Sequence, residues 1–291
     1  MTPSEQPRGA DSAPCGFVGL YLCKLSADGI AGGFGASNSG ATLIDAFLPA
    51  TVARIIELLS PTPPGWGGTL LVGLLHSVEI AAGAFGLGLV IGICGAYGKL
   101  YGGPVVRDLL AVYTTIVRAV PELVLILLLY YAGTDLINQL LTAMGYQRID
   151  ISGLVAGIAV LGFVQGAYST EVMRGAILAI PQGQIEAARA YGMSPGLLLR
   201  RITLPAMLPF AIPGLANLWL IATKDTALLA VVGFFELTLA TRQAAGVTKA
   251  YLTFFLAAGV IYLLLTLVSN LIIGRIEVWA RRGMPSLKEA R

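Results

Sequence analysis

The chain has 291 residues, of which 56% are apolar and 12% charged, against roughly 25% charged in an ordinary soluble domain. That balance excludes a water-soluble globule and places the chain in a membrane. A formal net charge of +3 is too mild for a nucleic-acid binder, so the basic residues are read as reporters of orientation and nucleic acid is excluded as a partner.

Residues 1–64 differ in kind from the rest. They are rich in Gly, Ser and Ala up to Gly40, and their apolar stretch from Ala41 to Leu59 is interrupted by Asp45, Pro49, Arg54 and Glu57. This reads as a flexible or interfacial extension, with a misplaced translation start as the alternative. Phe17 to Leu25 is too short and too broken by Lys24 for a signal-peptide core. The turn cluster from Ser60 to Gly65 marks the boundary of a transmembrane domain over residues 65–284, followed by a tail of residues 285–291.

Five stretches reach the roughly 20 mostly apolar residues that a spanning helix needs. They run from Thr69 to Gly98, Leu109 to Ala132, Ile151 to Thr170, Leu204 to about Phe235, and Ala250 to Gly274. The expected fold class is all-α, a polytopic integral membrane protein with five core spans. Glycines at GxxxG spacing, Gly88/Gly92, Gly153/Gly157 and Gly162/Gly166, suit close helix approach. One alternating set of connections carries eleven Lys and Arg and the other only Arg148, Arg242 and Lys249. The basic set is cytoplasmic by the positive-inside rule, which puts the C-terminus inside and makes residues 171–203 the largest cytoplasmic loop.

Cys15, Cys23 and Cys94 share no metal-ligand spacing, and His76 is the only histidine, so no metal or catalytic cluster is expected. Gly98-Lys99 lacks both the earlier glycine and the following Ser or Thr of a phosphate loop. No cofactor is expected on this chain, and no catalysis by it.

In the large loop, Glu186-Ala187-Ala188 is followed by three residues, Gly192, nine residues, Ile202, Thr203 and Leu204-Pro205. Physically this predicts two short helices at an angle, with Gly192 at the turn and Ser194-Pro195 starting the second. The paired alanines leave a shallow face fit for another protein's groove. The string resembles the EAA loop of ABC importer permease subunits at every fixed position. The stretches Val117 to Leu123, Gly166 to Glu171, Pro181 to Gln184 and Lys224 to Leu228 are similar to the polar amino acid branch serving histidine, lysine, arginine, ornithine and opines. The likeness covers about residues 65–284.

The resemblance implies that residues 183–205 form coupling helices, with Glu186, Ala187, Ala188, Gly192, Ile202, Leu204 and Pro205 docking on a cytoplasmic ABC ATPase dimer that binds the ATP. It implies a second permease subunit, identical or paralogous, and a periplasmic amino-acid-binding protein. The setting it implies is the lipid of a bacterial inner membrane. Asn217 is followed by Leu218 where some arginine-handling relatives carry an acidic residue, so the resemblance does not by itself assign a cationic substrate.

Ionisable groups inside spans are costly and mark functional positions. Here they are Glu79, Arg118, Glu122, Lys224 and Asp225. Arg118, three residues before the helix-breaking Pro121, is expected to grip a substrate carboxylate with its planar fork; the alternative is an ion pair with Glu122 on the same face. Asp225 is, by resemblance, the residue expected to hold a ligand cation, with Lys224 beside it; pairing with other helices is the alternative. Pro209 and Pro213 are expected to bend or interrupt the fourth span and bring this pair towards mid-membrane. Tyr168, Gln165 and Asn217 are expected either to line the cavity or to join helices by hydrogen bonds. Glu171 and Arg174 read as a structural pair, and His76 and Glu79 as satisfied interface polars. An ion-coupled secondary transporter is the rival reading, against which the sequence shows no inverted repeat.

Overall fold

The computed structural model describes residues 52–148 and 152–281. The expectations for residues 1–51, for the start of the third span at Ile151 and for the tail from 285 lie outside the described residues. Those described are mostly helical, and none of them forms a strand. After a helical stretch over 52–58, the helices are α1 (Gly67–Tyr101), α2 (Pro104–Ala119), α3 (Glu122–Ala143), α4 (Gly153–Leu178), α5 (Gln182–Ala190), α6 (Pro195–Leu198), α7 (Leu204–Asp225), α8 (Leu237–Thr248) and α9 (Tyr251–Ala280). A π-helical turn, Leu199–Thr203, joins α6 to α7, and a 3-10 turn, Thr226–Val231, follows α7. Five segments among the described residues are long and apolar enough to cross a membrane: α1, α3, α4, Pro195–Val231 and α9.

The second span differs from expectation. The run from Leu109 to Ala132 is not one helix, because Pro121 drives Val120 into the extended region at φ −91°, ψ 139° and ends α2 at Ala119. The span proper is α3, and α2 is a separate helix with Val105, Leu109, Val112 and Ile116 exposed along one stripe. The fourth span is corrected in the other direction. Pro209 and Pro213 lie inside α7 without interrupting it, although each removes one backbone donor. The run also stops at Val231 rather than Phe235.

α4 is the hub, with α1 lying closest along it. A Cβ placed on Gly88 would meet Gln165 Cβ at 3.0 Å, and one on Gly92 would meet Ser169 Cβ at 2.5 Å, so these small residues set the approach that a membrane interior without a hydrophobic driving force requires. Two cores flank this contact. Ile80, Ala84, Ile126, Val160, Leu161, Leu229 and Phe234 fill one end. Ala96, Met173, Ile177, Ile180, Met207 and Ala211 fill the other, next to α5.

Candidate functional site

Midway along the bundle four elements bring polar groups together. The break at Val120-Pro121 places Arg118 in the last turn of α2 and Glu122 in the first turn of α3. The expected alternative, an Arg118–Glu122 ion pair, is not among the ion pairs of the described residues. Arg118 instead lies over the ring of Tyr168, 6.0 Å from its centroid, a distance at the limit of a cation–π contact. The Tyr168 hydroxyl donates to Glu122 Oε1 at 3.2 Å.

Asp225 completes the group from the last residue of α7. Its Oδ2 accepts from Gln165 Nε2 at 3.3 Å, and Glu122 lies near enough for its charge to bear on it. Gln165 is the thirteenth of the 26 residues of α4, so Asp225 stands abreast of the helix centre without any break in α7. Gln165 is buried, and its Oε1, like Ser169 Oγ one turn on, has no hydrogen-bond partner among the described residues.

Arg118, Tyr168 and Asp225 thus lie together, joined by Glu122 and Gln165. Asn217 and Lys224 do not converge with them. Asn217 is exposed two turns earlier on α7, and Lys224 is exposed, acting on Asp225 through its charge alone. The arrangement offers a guanidinium and two carboxylates, one bonded by a phenol and the other by an amide. Such a set suits a small zwitterion with an extra cation: the planar fork takes a carboxylate and the acidic pair takes ammonium or guanidinium.

A second charged tier sits one turn nearer the α5 end. Lys99 Nζ donates to Glu171 Oε1 at 2.5 Å and to Thr114 Oγ1 at 2.6 Å, while Arg174 meets Glu171 Oε2 at 3.0 Å. The expected Glu171–Arg174 pair is therefore present, and Lys99, read from sequence as a loop charge, belongs to the same network.

The loop from α5 to α7 is seated by Ala188, 5% exposed, and by Ile185 and Leu204 against the Ile180–Met207 core. Glu186 and Ala187 face outwards, Tyr191 is 88% exposed, and Gly192 makes the turn at φ 73°. Ile202 is half-buried and Pro205 exposed. The second short helix starts at Ser194-Pro195, as its residues predict, with Ser194 at the N-cap position. Ser194 makes no side-chain cap, and α6 runs through the π-helical turn straight into α7. α6, the π-helical turn and α7 thus form one continuous helical run that ends in Asp225.

Glu236 was not singled out in sequence. It is fully buried at the start of α8, where Oε1 accepts from the Leu239 amide at 2.8 Å and Oε2 from Tyr262 at 3.2 Å and Ser77 at 3.3 Å. Its signal was a lone acid directly after an apolar run. His76 meets Phe235 edge-on with ring centroids 5.7 Å apart, and Glu79 is exposed.

The sequence profile of the family described as "Binding-protein-dependent transport system inner membrane component" matches residues 85–282. The chain is 43% identical over 206 residues to the histidine/lysine/arginine/ornithine transport system permease protein HisQ of Escherichia coli, covering 71% of this chain and 90% of that one. It is 42% identical to the nopaline transport system permease protein NocQ of Agrobacterium fabrum, over 79% of this chain and 99% of that one. Among solved structures it resembles an amino acid ABC transporter crystallised with histidines, at TM-score 0.61 and 26% identity, covering 73% of this chain and 94% of that one. The fold alone also matches the methionine transporter MetNI in inward-facing conformations, at TM-score 0.63 and 21% identity.

Proposed function

Because the chain belongs to the family of binding-protein-dependent transport system inner membrane components, we propose that it forms the path for a basic amino acid or an opine in an ABC importer. The arginine fork takes the substrate carboxylate and the Asp225–Glu122 pair takes its cation. The single observation that supports this substrate class is the convergence of Arg118, Tyr168, Glu122 and Asp225 at the centre of α4. The names of the similar permeases, which serve histidine, lysine, arginine, ornithine and nopaline, point the same way.

In this reading the exposed face of α5 docks on a cytoplasmic ATPase dimer, a second permease subunit closes the path, and a periplasmic binding protein delivers the substrate. The C-terminus lies in the cytoplasm, as the distribution of basic residues implies. Shifting a two-state path from 1:99 to 99:1 needs about 5.5 kcal/mol of differential binding. Nucleotide bound by the partner ATPase supplies it, and the π-helical junction carries the motion into α7.

The test is ATP-dependent uptake of labelled arginine, histidine and nopaline into vesicles holding this chain with its neighbouring permease, ATPase and binding protein. The parent should import at least one of them, and Asp225→Asn should lose that uptake while inserting normally. Normal import by Asp225→Asn would sink the assignment of the cation site.

A further inference from the structure

Helix α2, which carries Arg118, is lightly held by the rest of the bundle. Extended residues bound it at both ends, Gly103 before it and Val120 after it, and of its 16 residues only Thr114 and Val117 are buried. Its rotation over α4 is therefore set by side chains rather than by continuity with its neighbours. Tyr113 supplies one tie, its hydroxyl donating to the Phe163 carbonyl of α4 at 2.5 Å.

Thr114 supplies the other. Lys99 Nζ, in the last turn of α1, donates to Thr114 Oγ1 at 2.6 Å and to Glu171 Oε1 of α4 at 2.5 Å. The threonine hydroxyl accepts this bond while donating its own proton to the Leu110 carbonyl at 3.0 Å, and the ammonium has three protons for its two acceptors. Tyr113 and Thr114 are consecutive, about 100° apart around the helix, so two ties at that angle stop α2 from rolling where one would leave it free. Arg118 follows Thr114 by four residues and shares its face, and Tyr168 precedes Glu171 by three on α4. The bonded tier thus lies one turn from the guanidinium and the ring it covers. An ammonium within a span, its side chain 10% exposed, is costly and marks a functional position, yet Lys99 lies outside the group that reads the substrate.

We infer that Lys99 and Thr114 are positioning residues for the carboxylate end of the substrate: their bond, anchored on Glu171, fixes the roll of α2 and so aims the Arg118 guanidinium. The inference rests on the reading of Arg118 as the carboxylate fork. Neither residue touches substrate. Loss of the threonine hydroxyl leaves Glu171 bonded to Lys99 and Arg174, so the tier stays charge-paired and the bundle folds.

The experiment is equilibrium binding of labelled arginine and of argininamide, which lacks the carboxylate charge, to the purified transporter complex in lipid discs, without binding protein. It compares the parent with Thr114→Val, Thr114→Ser, Lys99→Met, Arg118→Gln and Thr114→Val/Arg118→Gln, and reads the ratio of the two affinities. Thr114→Val keeps the shape and removes the acceptor. It should cut the preference for arginine over its amide roughly fivefold, the size of one hydrogen bond, with amide binding unchanged. Thr114→Ser keeps the hydroxyl and should keep the parent's ratio, while Lys99→Met should lower it at least as far as Thr114→Val. A merely structural role would weaken both ligands together and leave the ratio alone.

In the Arg118→Gln background, Thr114→Val should cause no further fall, since residues acting through one group are non-additive. A parent-like ratio in Thr114→Val or in Lys99→Met would overturn the inference. So would a fall in Thr114→Ser equal to that in Thr114→Val, or a further fall in the double variant. A parent-like ratio in Arg118→Gln, or a parent without preference for arginine over its amide, would instead overturn the carboxylate-fork reading itself.

Discussion

Helices α4 and α9 are both long and apolar, yet they live in different surroundings. In its most apolar window α4 is 61% buried, while α9 is 11% buried. α4 has the lowest mean hydropathy of the five spans and α9 the highest. In a soluble protein the most apolar helix would be the best buried. Here the order reverses, because lipid is as apolar as leucine and the bundle interior is where Gly, Ser, Thr and Gln find neighbours. Gln165, Ser169 and Thr170 are buried in α4, whereas Leu252, Leu256 and Leu271 of α9 stand exposed.

The sharpest way to break this comparison is to add bulk on each side. Gly92→Leu forces a side chain into Ser169 Cβ and the α4 backbone, and should cost about 3 kcal/mol or prevent assembly altogether; thermal unfolding of the purified complex measures it. Next in size is Asp225→Asn, which removes a charge at the end of α7 beside Gln165 of α4. Arginine binding should fall by about tenfold to a hundredfold, the range for hydrogen bonds to charged groups, as read by binding in lipid discs.

Lys99→Met is smaller. Glu171 keeps Arg174 at 3.0 Å, so the expected cost is about 1 kcal/mol, well below that of stripping a buried charge of every partner. Its thermal midpoint, compared with that of Glu171→Gln, measures it. Smallest is Leu256→Ala on α9, where the side chain is 66% exposed. It should shift stability by no more than about 0.5 kcal/mol. A large loss there would show that this face packs against protein rather than lipid.

Much of the membrane domain was legible because hydropathy acts on whole segments. The turn at Gly192 was legible too, since its positive φ follows from residue type, whereas Ala188, read with Ala187 as part of an outward face, is buried within the chain. What escaped was anything decided by a single break or a distant partner. The second span was misplaced because Pro121 separates two apolar helices that hydropathy averages into one. Arg118 was weighed against Glu122 by helical spacing, a rule that fails once the helix ends between them. Lys99 read as a loop charge because nothing local announces Thr114 and Glu171, 15 and 72 residues away. Glu236 escaped for the same reason: Ser77 and Tyr262 meet it only in three dimensions.

The most direct measurement is uptake of labelled arginine, driven by ATP, in vesicles carrying this chain, its neighbouring permease, ATPase and binding protein, for the parent and Glu186→Arg side by side. The exposed position of Glu186 on α5 leads us to expect uptake by the parent only, with Glu186→Arg inserting normally and its ATPase no longer stimulated by loaded binding protein. Uptake that needs no ATPase and is indifferent to Glu186→Arg would contradict the ATP-driven import proposed for this chain.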